Sequence, residues 1–534
     1  MAIPVVDIFA GPGGLGEGFS ALLEDKSQRY FDIALSIEKD SEAHKTLTLR
    51  SFFRQFPIGE APEDYYSFVR GEISVDELYE RYPDEALVAK EEAWQAELGK
   101  ISNTEVDKKI TQALRGEENW LLIGGPPCQA YSVVGRSRRQ EKILDAAKDE
   151  RVELYKQYLR ILAVHSPAVF VMENVKGILS AKTQESSIFS KILKDLADPA
   201  EAFLEEVDFP EVEIRCKGYK IYSLVNKPQS HELDGRPVYN QKDFIIYAEN
   251  HGVPQTRHRV ILLGIRNDIN FVPDTINKVE HVPLIKVIDD LPKLRSGLSK
   301  QKDTAKNWLK AVGNIDIRPD SVPESTEVYS AVQEQIQKME PFEHGVGSNF
   351  IPWIDKTCTY KKGWFHDQKL KGVANHNSRG HMDSDLHRYF YAACFGRAKG
   401  RSPKIKDFPK SLYPLHKNVD QAVVEKKFSD RFRVQIADYP AKTITSHISK
   451  DGHYYIHPDP SQCRSLTVRE AARIQTFPDN YFFCGSRTSQ FIQVGNAVPP
   501  LLANKISKIV SPIFKSIGAG LSQQMEVKST AVTA

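Results

Sequence analysis

The segment VVDIFAGPGGLG, residues 5–16, decides the fold. Its apolar run ends at Phe9, and glycines follow at positions 11, 13, 14 and 16. Glycine lets the backbone approach a ligand where a β-carbon would clash, and the helix that follows offers free amide N–H groups. A strand, a glycine loop and a helix in this order are typical of a nucleotide-like site, although a tight structural turn has the same spacing.

Further apolar runs continue the alternation of strands and helices. They cover residues 33–37, 120–123 and 169–172, and leucine and tyrosine recur every four residues between the last two runs. Strands that are continuously apolar and separated by helices indicate a parallel sheet covered on both faces. The sequence therefore predicts an α/β fold with a mostly parallel sheet.

Three reactive side chains follow these strands. Glu38 ends the second run, Cys128 comes directly after Gly-Gly-Pro-Pro, and Glu173 ends the fourth run. Most lone cysteines are buried and inert, but the rigid Pro-Pro before Cys128 favours presentation of its thiol. A carboxylate at the end of an apolar strand is costly to bury without a purpose, and a helix cap is the alternative purpose for Glu173. All three are expected at the carboxyl edge of the sheet, where ligands bind.

The segment QTRHR, residues 255–259, leads into another apolar run. Strand alternation places Arg257 and Arg259 on one side and His258 on the other. Two guanidiniums aimed at one site can organise a carboxylate, a phosphate or a thiolate. A surface strand would have a similar sequence, so the segment is weak evidence alone.

Together these segments resemble the DNA (cytosine-5) methyltransferases of bacterial restriction-modification systems. The family blocks Asp-x-Phe-x-Gly-x-Gly-Gly, Pro-Pro-Cys-Gln, Glu-Asn-Val and Gln-x-Arg-x-Arg occur in family order, and residues 464–479 and 493–500 resemble the last two blocks. The resemblance spans nearly the whole chain. It implies a Rossmann-like, S-adenosylmethionine-dependent methyltransferase fold with a smaller target recognition domain.

The resemblance also implies roles for individual residues. Cys128 would add to carbon 6 of a flipped-out cytosine, Glu173 would contact ring nitrogen 3, and Arg259 with Arg257 would support the site. S-adenosylmethionine would donate the methyl group, and no metal is expected. The implied cofactor-binding residues are Phe9, Gly11, Gly13, Gly14, Leu15, Glu38, Pro126, Asn496 and Val498.

The change in pattern along the chain predicts its division. Residues 1–266 are expected to form the catalytic domain, with a helical insertion over about 52–119 whose role the sequence leaves open. Residues 267–439 are expected to form the target recognition domain. Residues 440–517 would complete both domains, and the small, polar stretch 518–534 is expected to be an unstructured tail.

Contacts with double-stranded DNA must come from local clusters, because the net charge is only +2. The densest basic run near Cys128 contains Arg136, Arg138 and Arg139, which are expected to grip phosphates, although a solvated surface run would have a similar composition. Residues 376–381 and 395–401 are expected to be contact loops of the recognition domain.

The remaining sequence features bound the class of protein. The six cysteines form no Cys-x-x-Cys pair, the N-terminus carries no signal peptide, and no apolar run is long enough to span a membrane. We expect a cytoplasmic, monomeric enzyme that contacts no membrane, with a restriction endonuclease for the same site as a candidate partner.

Three other functions remain open at this point. An RNA cytosine-5 methyltransferase would share the same blocks, although the long recognition segment favours DNA. A non-catalytic DNA-binding relative is disfavoured because both Cys128 and Glu173 are retained. A dinucleotide-dependent oxidoreductase would explain the glycine loop alone and gives Pro-Pro-Cys-Gln no role.

Overall fold

The structure is a computed structural model of the chain. It describes residues 2–25, 27–127, 150–180, 188–204, 213–318, 326–353, 358–414 and 430–532, with the backbone alone for 150–153 and 520–532. Within these ranges the strands are β1 (Ile3–Ile8), β2 (Phe31–Glu38), β3 (Ala93–Gln95), β4 (Leu121–Gly124), β5 (Val169–Val175), β6 (Tyr219–Tyr222), β7 (Ser230–His231), β8 (Pro237–Val238), β9 (Ile245–Tyr247), β10 (Gln255–Thr256), β11 (His258–Arg266), β12 (Gly297–Leu298), β13 (Gly347–Pro352), β14 (Gly372–Asn377), β15 (Gly380–His381) and β16 (Ala441–Lys442).

The helices of the same ranges are α1 (Gly14–Ser20), α2 (Ser41–Arg54), α3 (Glu63–Arg70), α4 (Val75–Arg81), α5 (Pro83–Glu92), α6 (Asn103–Leu114), α7 (Glu150–His165), α8 (Ile188–Ala197), α9 (Pro199–Leu204), α10 (Ile285–Ile288), α11 (Ala305–Gly313), α12 (Thr326–Gln337), α13 (Lys362–Phe365), α14 (Asp383–Lys399), α15 (Val468–Ile474), α16 (Arg487–Asn496) and α17 (Pro500–Val532). The last helix continues past Gly518, where the sequence predicts an unstructured tail.

One eight-stranded sheet forms the centre of the molecule, in the order β3-β2-β1-β4-β5-β11-β6, with β9 also paired to β11. The five strands from β3 to β5 are parallel to one another. Strand β11 runs antiparallel to β5, β6 and β9. The predicted α/β fold with a mostly parallel sheet is therefore confirmed.

Helices cover both faces of this sheet, as continuously apolar strands require. On one face α1 and α17 pack through residues such as Phe19 and Ile506. On the other face α6, α7 and α8 pack through residues such as Ile110, Tyr158 and Phe189. The carboxyl ends of the parallel strands are left for the loops that carry the chemistry.

The predicted insertion has two structural roles. Its second part supplies the edge strand β3 and helix α6, so it belongs to the central sheet and its cover. Its first part, α3 to α5, forms an aromatic cluster with α2 that also includes Leu370 and Ala374 of the predicted recognition segment. The Tyr66 hydroxyl donates a 2.7 Å hydrogen bond to the Asp367 carboxylate of that segment. The insertion thus contacts the region that the sequence assigns to target recognition.

The predicted recognition segment has a core of its own. Helices α11, α12 and α14 pack together through Trp308, Val328, Tyr389 and Phe390. A second core joins β14 and α10 to α15 and α16, which come after the segment in the chain. The block 464–479 therefore lies between the segment and the sheet.

Candidate active site

The glycine loop between β1 and α1 is folded against the end of the chain. Phe9 and Gly13 both have left-handed backbones, with φ of 57° and 87°. A β-carbon added to Gly14 would lie 2.2 Å from the carbonyl oxygen of Val498, so no larger residue fits there. A non-glycine residue at positive φ costs on the order of 1–3 kcal/mol, and such strain concentrates at functional sites.

Glu38 holds this loop in place. One carboxylate oxygen accepts a 2.8 Å hydrogen bond from the amide of Gly11, and the other accepts a 2.8 Å bond from the amide of Asp40. Each carboxylate oxygen can accept a further bond, so the side chain can hold the loop and ribose hydroxyls together. The sequence predicts only the second of these roles.

The loop after β1, which contains the predicted cofactor residues Phe9, Gly11, Gly13 and Gly14, borders an open cradle at Gly11. A β-carbon added to Gly11 would have no neighbour within 4 Å, so there is open space beside the loop. Asn496, at the end of α16, is exposed, and Val498 follows it against Gly14. The side chains of Leu15 and Val498 are both buried in the core on one face of the sheet, so each offers a ligand mainly its backbone.

Asp7 lies directly under this cradle and is almost completely buried, with 1% of its surface exposed. Burial raises the pKa of its carboxyl group to about 8, against a smaller lowering by the nearby amide of Gly16, and neither carboxyl oxygen has a hydrogen-bond partner in the described ranges. A carboxyl group in this environment exchanges its proton near neutral pH, unlike an exposed aspartate.

Glu173 and Arg259 form an ion pair at the same edge of the sheet. Their strands β5 and β11 are adjacent, and Arg259 lies opposite Val175 in the register. Arg259 Nε lies 2.8 Å from Glu173 Oε1, and the two side chains keep 15% and 14% of their surface exposed. Two residues to which the resemblance assigns roles in the site are therefore in direct contact, and the pair keeps exposed surface.

The loop that leads to Cys128 touches this pair. A β-carbon on Gly125 would lie 3.0 Å from Glu173 Oε2, and the Asn174 side chain donates a 3.2 Å bond to the carbonyl of Pro126. Glu173 therefore lies against the segment that ends three residues later at the predicted nucleophile. Cys128 itself lies outside the described residues, as do Arg136, Arg138 and Arg139.

In the described residues Arg257 makes no hydrogen bond to Glu173, the partner of Arg259, although its charge lies close to both. Arg257 is 1% exposed and donates bonds of 2.7 Å and 2.8 Å to the carbonyls of Ile444 and Ala497. Buried carbonyls of the returning chain hold its two terminal nitrogens, whereas its Nε has no hydrogen-bond partner in the described ranges. Arg257, which directly precedes β11, thus connects this strand to Ile444, before block 464–479, and to Ala497, after it.

Three residues near the site were not singled out from the sequence. Asn174 fixes the Pro126 loop, and Tyr481 donates a hydrogen bond from its hydroxyl to the carbonyl of Pro12 in the glycine loop. The Glu249 carboxylate accepts a 2.8 Å hydrogen bond from Nε2 of His258. The adjacency of Asn174 to Glu173 was the one local signal available, since the other contacts join distant parts of the chain.

The two expected contact loops of the recognition segment are partly turned inward, although the side chains of Arg397 and Arg401 are exposed. His376 is fully buried and bonded to Thr467 Oγ1 and the carbonyl of Pro292, at 2.9 Å and 2.8 Å. Phe395 is fully buried inside helix α14, which continues to Lys399. These side chains form the core of the recognition segment, because the helix and strand periods turn them inward.

Neither a metal-binding cluster nor a membrane-spanning helix is present among the described residues. Among the residues placed in the structure, no group of three or more His, Cys, Asp or Glu side chains is arranged to hold a metal ion. In the same ranges, no helix combines the length and apolar character needed to cross a membrane.

Comparison with known proteins agrees with this geometry. The sequence profile of the C-5 cytosine-specific DNA methylases matches residues 90–199 and 231–511. The chain is 32% identical to the type II methyltransferase M.Bpa9945I of Bacillus paralicheniformis, over 96% of this chain and 99% of that protein. It is 27% identical to the type II methyltransferase M.DdeI of Desulfomicrobium norvegicum, over 98% and 92% of the two chains.

A third relative is an archaeal protein named for the reaction itself. The DNA (cytosine-5-)-methyltransferase M.ApeKI of Aeropyrum pernix is 25% identical over 79% of this chain and 87% of that protein. The profile match covers well over half of the chain, and the sheet carries the family's blocks at one edge. The chain belongs to the C-5 cytosine-specific DNA methylases and is a DNA (cytosine-5-)-methyltransferase.

Proposed function

We propose that methyl transfer occurs at the carboxyl edge of the parallel sheet, with Cys128 as the nucleophile and Glu173 as the group that stabilises the activated base. The observation that carries this proposal is the position of Glu173. Arg259 holds it from one side at 2.8 Å, and Gly125, three residues before Cys128, lies against it on the other.

Carbon 5 of cytosine needs activation because its electrons belong to an aromatic ring. Addition of the Cys128 thiolate to carbon 6 breaks the aromaticity and makes carbon 5 nucleophilic. Glu173 contacts ring nitrogen 3 and offsets the charge that develops there, an effect typically worth about 10²–10⁴-fold. After carbon 5 has gained the methyl group, loss of its proton and departure of the thiolate from carbon 6 restore the aromatic ring.

The residues around the glycine loop fit S-adenosylmethionine, the methyl donor of the family. The cradle beside Gly11 is open and Glu38 has free lone pairs, and we propose that Asn496, which is exposed, and Val498, which packs against Gly14, complete the site. When bound, this cofactor supplies an electrophilic methyl group. The chain therefore has to align the donor with the base. The close packing of Gly14 against Val498 holds the glycine loop in place for this alignment.

The base must leave the duplex to reach this edge, at a cost of a few kcal/mol. Arg136, Arg138 and Arg139 are proposed to hold phosphates during this step. Residues 1–266 are proposed to be the catalytic domain, 267–439 the target recognition domain and 440–517 the segment that completes both. A shallower salt dependence of DNA binding in Arg138→Ala would support the phosphate role, and an unchanged dependence would remove it.

The nucleophile is tested directly with DNA that contains 5-fluorocytosine. We expect the wild-type enzyme to form a covalent complex with a long duplex made by amplification with the fluorinated nucleotide, because fluorine at carbon 5 cannot leave as the proton does. Cys128→Ser should form no complex and transfer no tritiated methyl group. Cys216→Ser is the matched control, since Cys216 is a half-buried free cysteine elsewhere in the fold. Turnover by Cys128→Ser at the wild-type rate would refute the proposal.

We further propose that the enzyme acts as a monomer on one duplex sequence within a restriction-modification system. The support is that M.Bpa9945I and M.DdeI, which match almost the full chain, are type II methyltransferases. Bisulfite sequencing of DNA from cells that express the protein should reveal one methylated motif. Methylation at cytosines without a common sequence would contradict the proposal.

A further inference from the structure

A group of lysines lies on one surface of the protein, outside the site described above. It is formed by residues 277–281, 360–362 and 505–508, whose sequences are NKVEH, YKK and KISK. These three segments contain five lysines and one acidic residue, Glu280. We call this surface the lysine face; its members are Lys278, Lys361, Lys362, Lys505 and Lys508.

A single turn, residues 250–252, holds two of these segments together. The amide of Val279 donates a 2.8 Å bond to the carbonyl of Asn250, and a ring nitrogen of His251 bonds the carbonyl of Asn277 at 3.0 Å. The Tyr360 hydroxyl donates a 2.7 Å bond to the carbonyl of Gly252. The lysines on these segments are therefore presented by a fixed backbone.

Helix α17 brings the third segment to the same turn. Burial lowers the pKa of His251, and the positive charges of Lys505 and Lys278 lower it further. Burial also lowers the pKa of Lys505, and Lys361 and Lys508 add to the shift. The three segments thus approach closely enough for their charges to repel one another.

The charge of this face is not neutralised by the protein in the described ranges. None of its five lysines has a carboxylate within ion-pair distance there, whereas Lys39, Lys45, Lys338 and Lys399 elsewhere do. The chain as a whole is close to neutral, with 72 basic and 70 acidic residues. A local excess of unpaired lysines costs electrostatic free energy unless an anionic partner binds it.

The lysine face borders the strand that carries the catalytic arginine. Glu249, next to the turn 250–252, bonds His258, and Arg259 is the next residue. The duplex substrate carries one charge per about 1.7 Å of its axis and extends well beyond one flipped base. We propose that the lysine face binds the phosphate backbone of duplex DNA flanking the target site and adds affinity that does not depend on sequence.

This proposal rests on duplex DNA being the substrate, and binding can be measured separately from methyl transfer. The variant is Lys278→Ala/Lys361→Asn/Lys508→Ala, in which asparagine tolerates the left-handed backbone of Lys361 (φ 47°). The probe is a labelled random-sequence duplex, titrated over a range of salt concentrations. Each lost phosphate contact should reduce the slope of log affinity against log salt by about 0.9, so we expect a reduction of about 1 to 3.

Two further variants separate a phosphate contact from a general effect. Lys108→Ala/Lys191→Ala/Lys227→Ala removes three exposed lysines from other surfaces and should leave the slope at the wild-type value. Lys278→Arg/Lys508→Arg keeps the charge and should do the same. A wild-type slope in the first triple variant, or an equal fall in the Lys108 control, would overturn the proposal. Methyl transfer at saturating DNA reports on the active site alone and should be unchanged in all three proteins.

Discussion

Two arginine–glutamate pairs in this protein differ in the number of contacts that join them and in their surroundings. Arg259 and Glu173 pair at the sheet edge through a 2.8 Å contact, with 15% and 14% of the side chains exposed. Arg464 and Glu470 pair in the block beneath the recognition segment through bonds of 2.7 Å and 2.6 Å, with 0% and 2% exposed. Both come from family blocks, so the sequence motifs alone do not distinguish them.

The difference lies in what else each carboxylate binds. Glu470 also accepts a bond from the amide of Thr467 and lies 3.4 Å from His457. Burial alone would raise the pKa of Glu470, but Arg464 and His457 hold it well below its usual range. Glu173 keeps exposed surface beside the Cys128 loop. A carboxylate whose acceptor positions are occupied by the protein stabilises the fold, whereas a carboxylate with unoccupied acceptor positions is available to a substrate.

The largest effect expected from this comparison is on turnover. Glu173→Gln keeps the size of the side chain and removes its charge and proton exchange, so kcat should fall by about 10²–10⁴-fold. Tritium transfer to duplex DNA at saturating cofactor measures it, and thermal unfolding should remain close to wild type. Glu470→Gln is the matched control, because glutamine keeps the helix cap with Thr467. Equal losses of kcat per folded molecule in both variants would break the comparison.

The buried pair should instead control stability. Arg464→Met leaves Glu470 as a buried charge without its arginine, which is expected to cost about 3–5 kcal/mol of the free energy of unfolding. Urea denaturation measures this loss. Arg259→Met, the equivalent change in the open pair, should cost far less because water reaches Glu173.

A double variant tests the cause of that loss. Arg464→Met/Glu470→Gln removes both charges while keeping the cap, so most of the lost stability should return. If the double variant is as unstable as Arg464→Met alone, the packing of the arginine stem, and not the unpaired carboxylate, would be responsible.

Much of the sheet and its edge could be predicted from local pattern. The apolar run before Glu173 is continuous and the run before Phe9 is interrupted only by Asp7, which identifies buried strands, and both residues come where those runs end. Parallel strands share their carboxyl edge, so Glu38 and Glu173 could be placed together without coordinates. The fold class and the two ends of the site follow from these facts.

Other features depend on partners far along the chain. Alternation gives the side on which Arg257 lies, but not that carbonyls 187 and 240 residues away would occupy its guanidinium. The antiparallel direction of β11 depends on the path of the preceding chain. The link between Tyr66 and Asp367 joins residues 301 positions apart. Helix and strand periodicity in the sequence gives local geometry, so it does not predict contacts between distant parts of the chain.

Asp7 extends the comparison to a buried carboxyl group that has no arginine partner in the described ranges. Because its pKa rises from 3.8 unfolded to about 8 folded, the unfolded chain releases this proton first. The free energy of unfolding should therefore fall as pH rises between these values, by up to about 1.4 kcal/mol per pH unit for this group. Asp7→Asn cannot ionise and should lose this dependence.

The measurement is urea denaturation of wild type and Asp7→Asn at intervals between pH 5 and pH 8, the window set by the raised pKa of about 8. The stability of the variant relative to wild type should increase steadily with pH. Asp25→Asn is the control with the opposite sign: the amides of Ser27 and Gln28 lower the pKa of Asp25, so its difference from wild type should stay constant in this window. If the free energies of unfolding of wild type and Asp7→Asn change with pH in parallel, Asp7 is ionised in the folded protein and its pKa is not raised. A positive charge at the glycine loop would then have to compensate it, as Arg464 compensates Glu470.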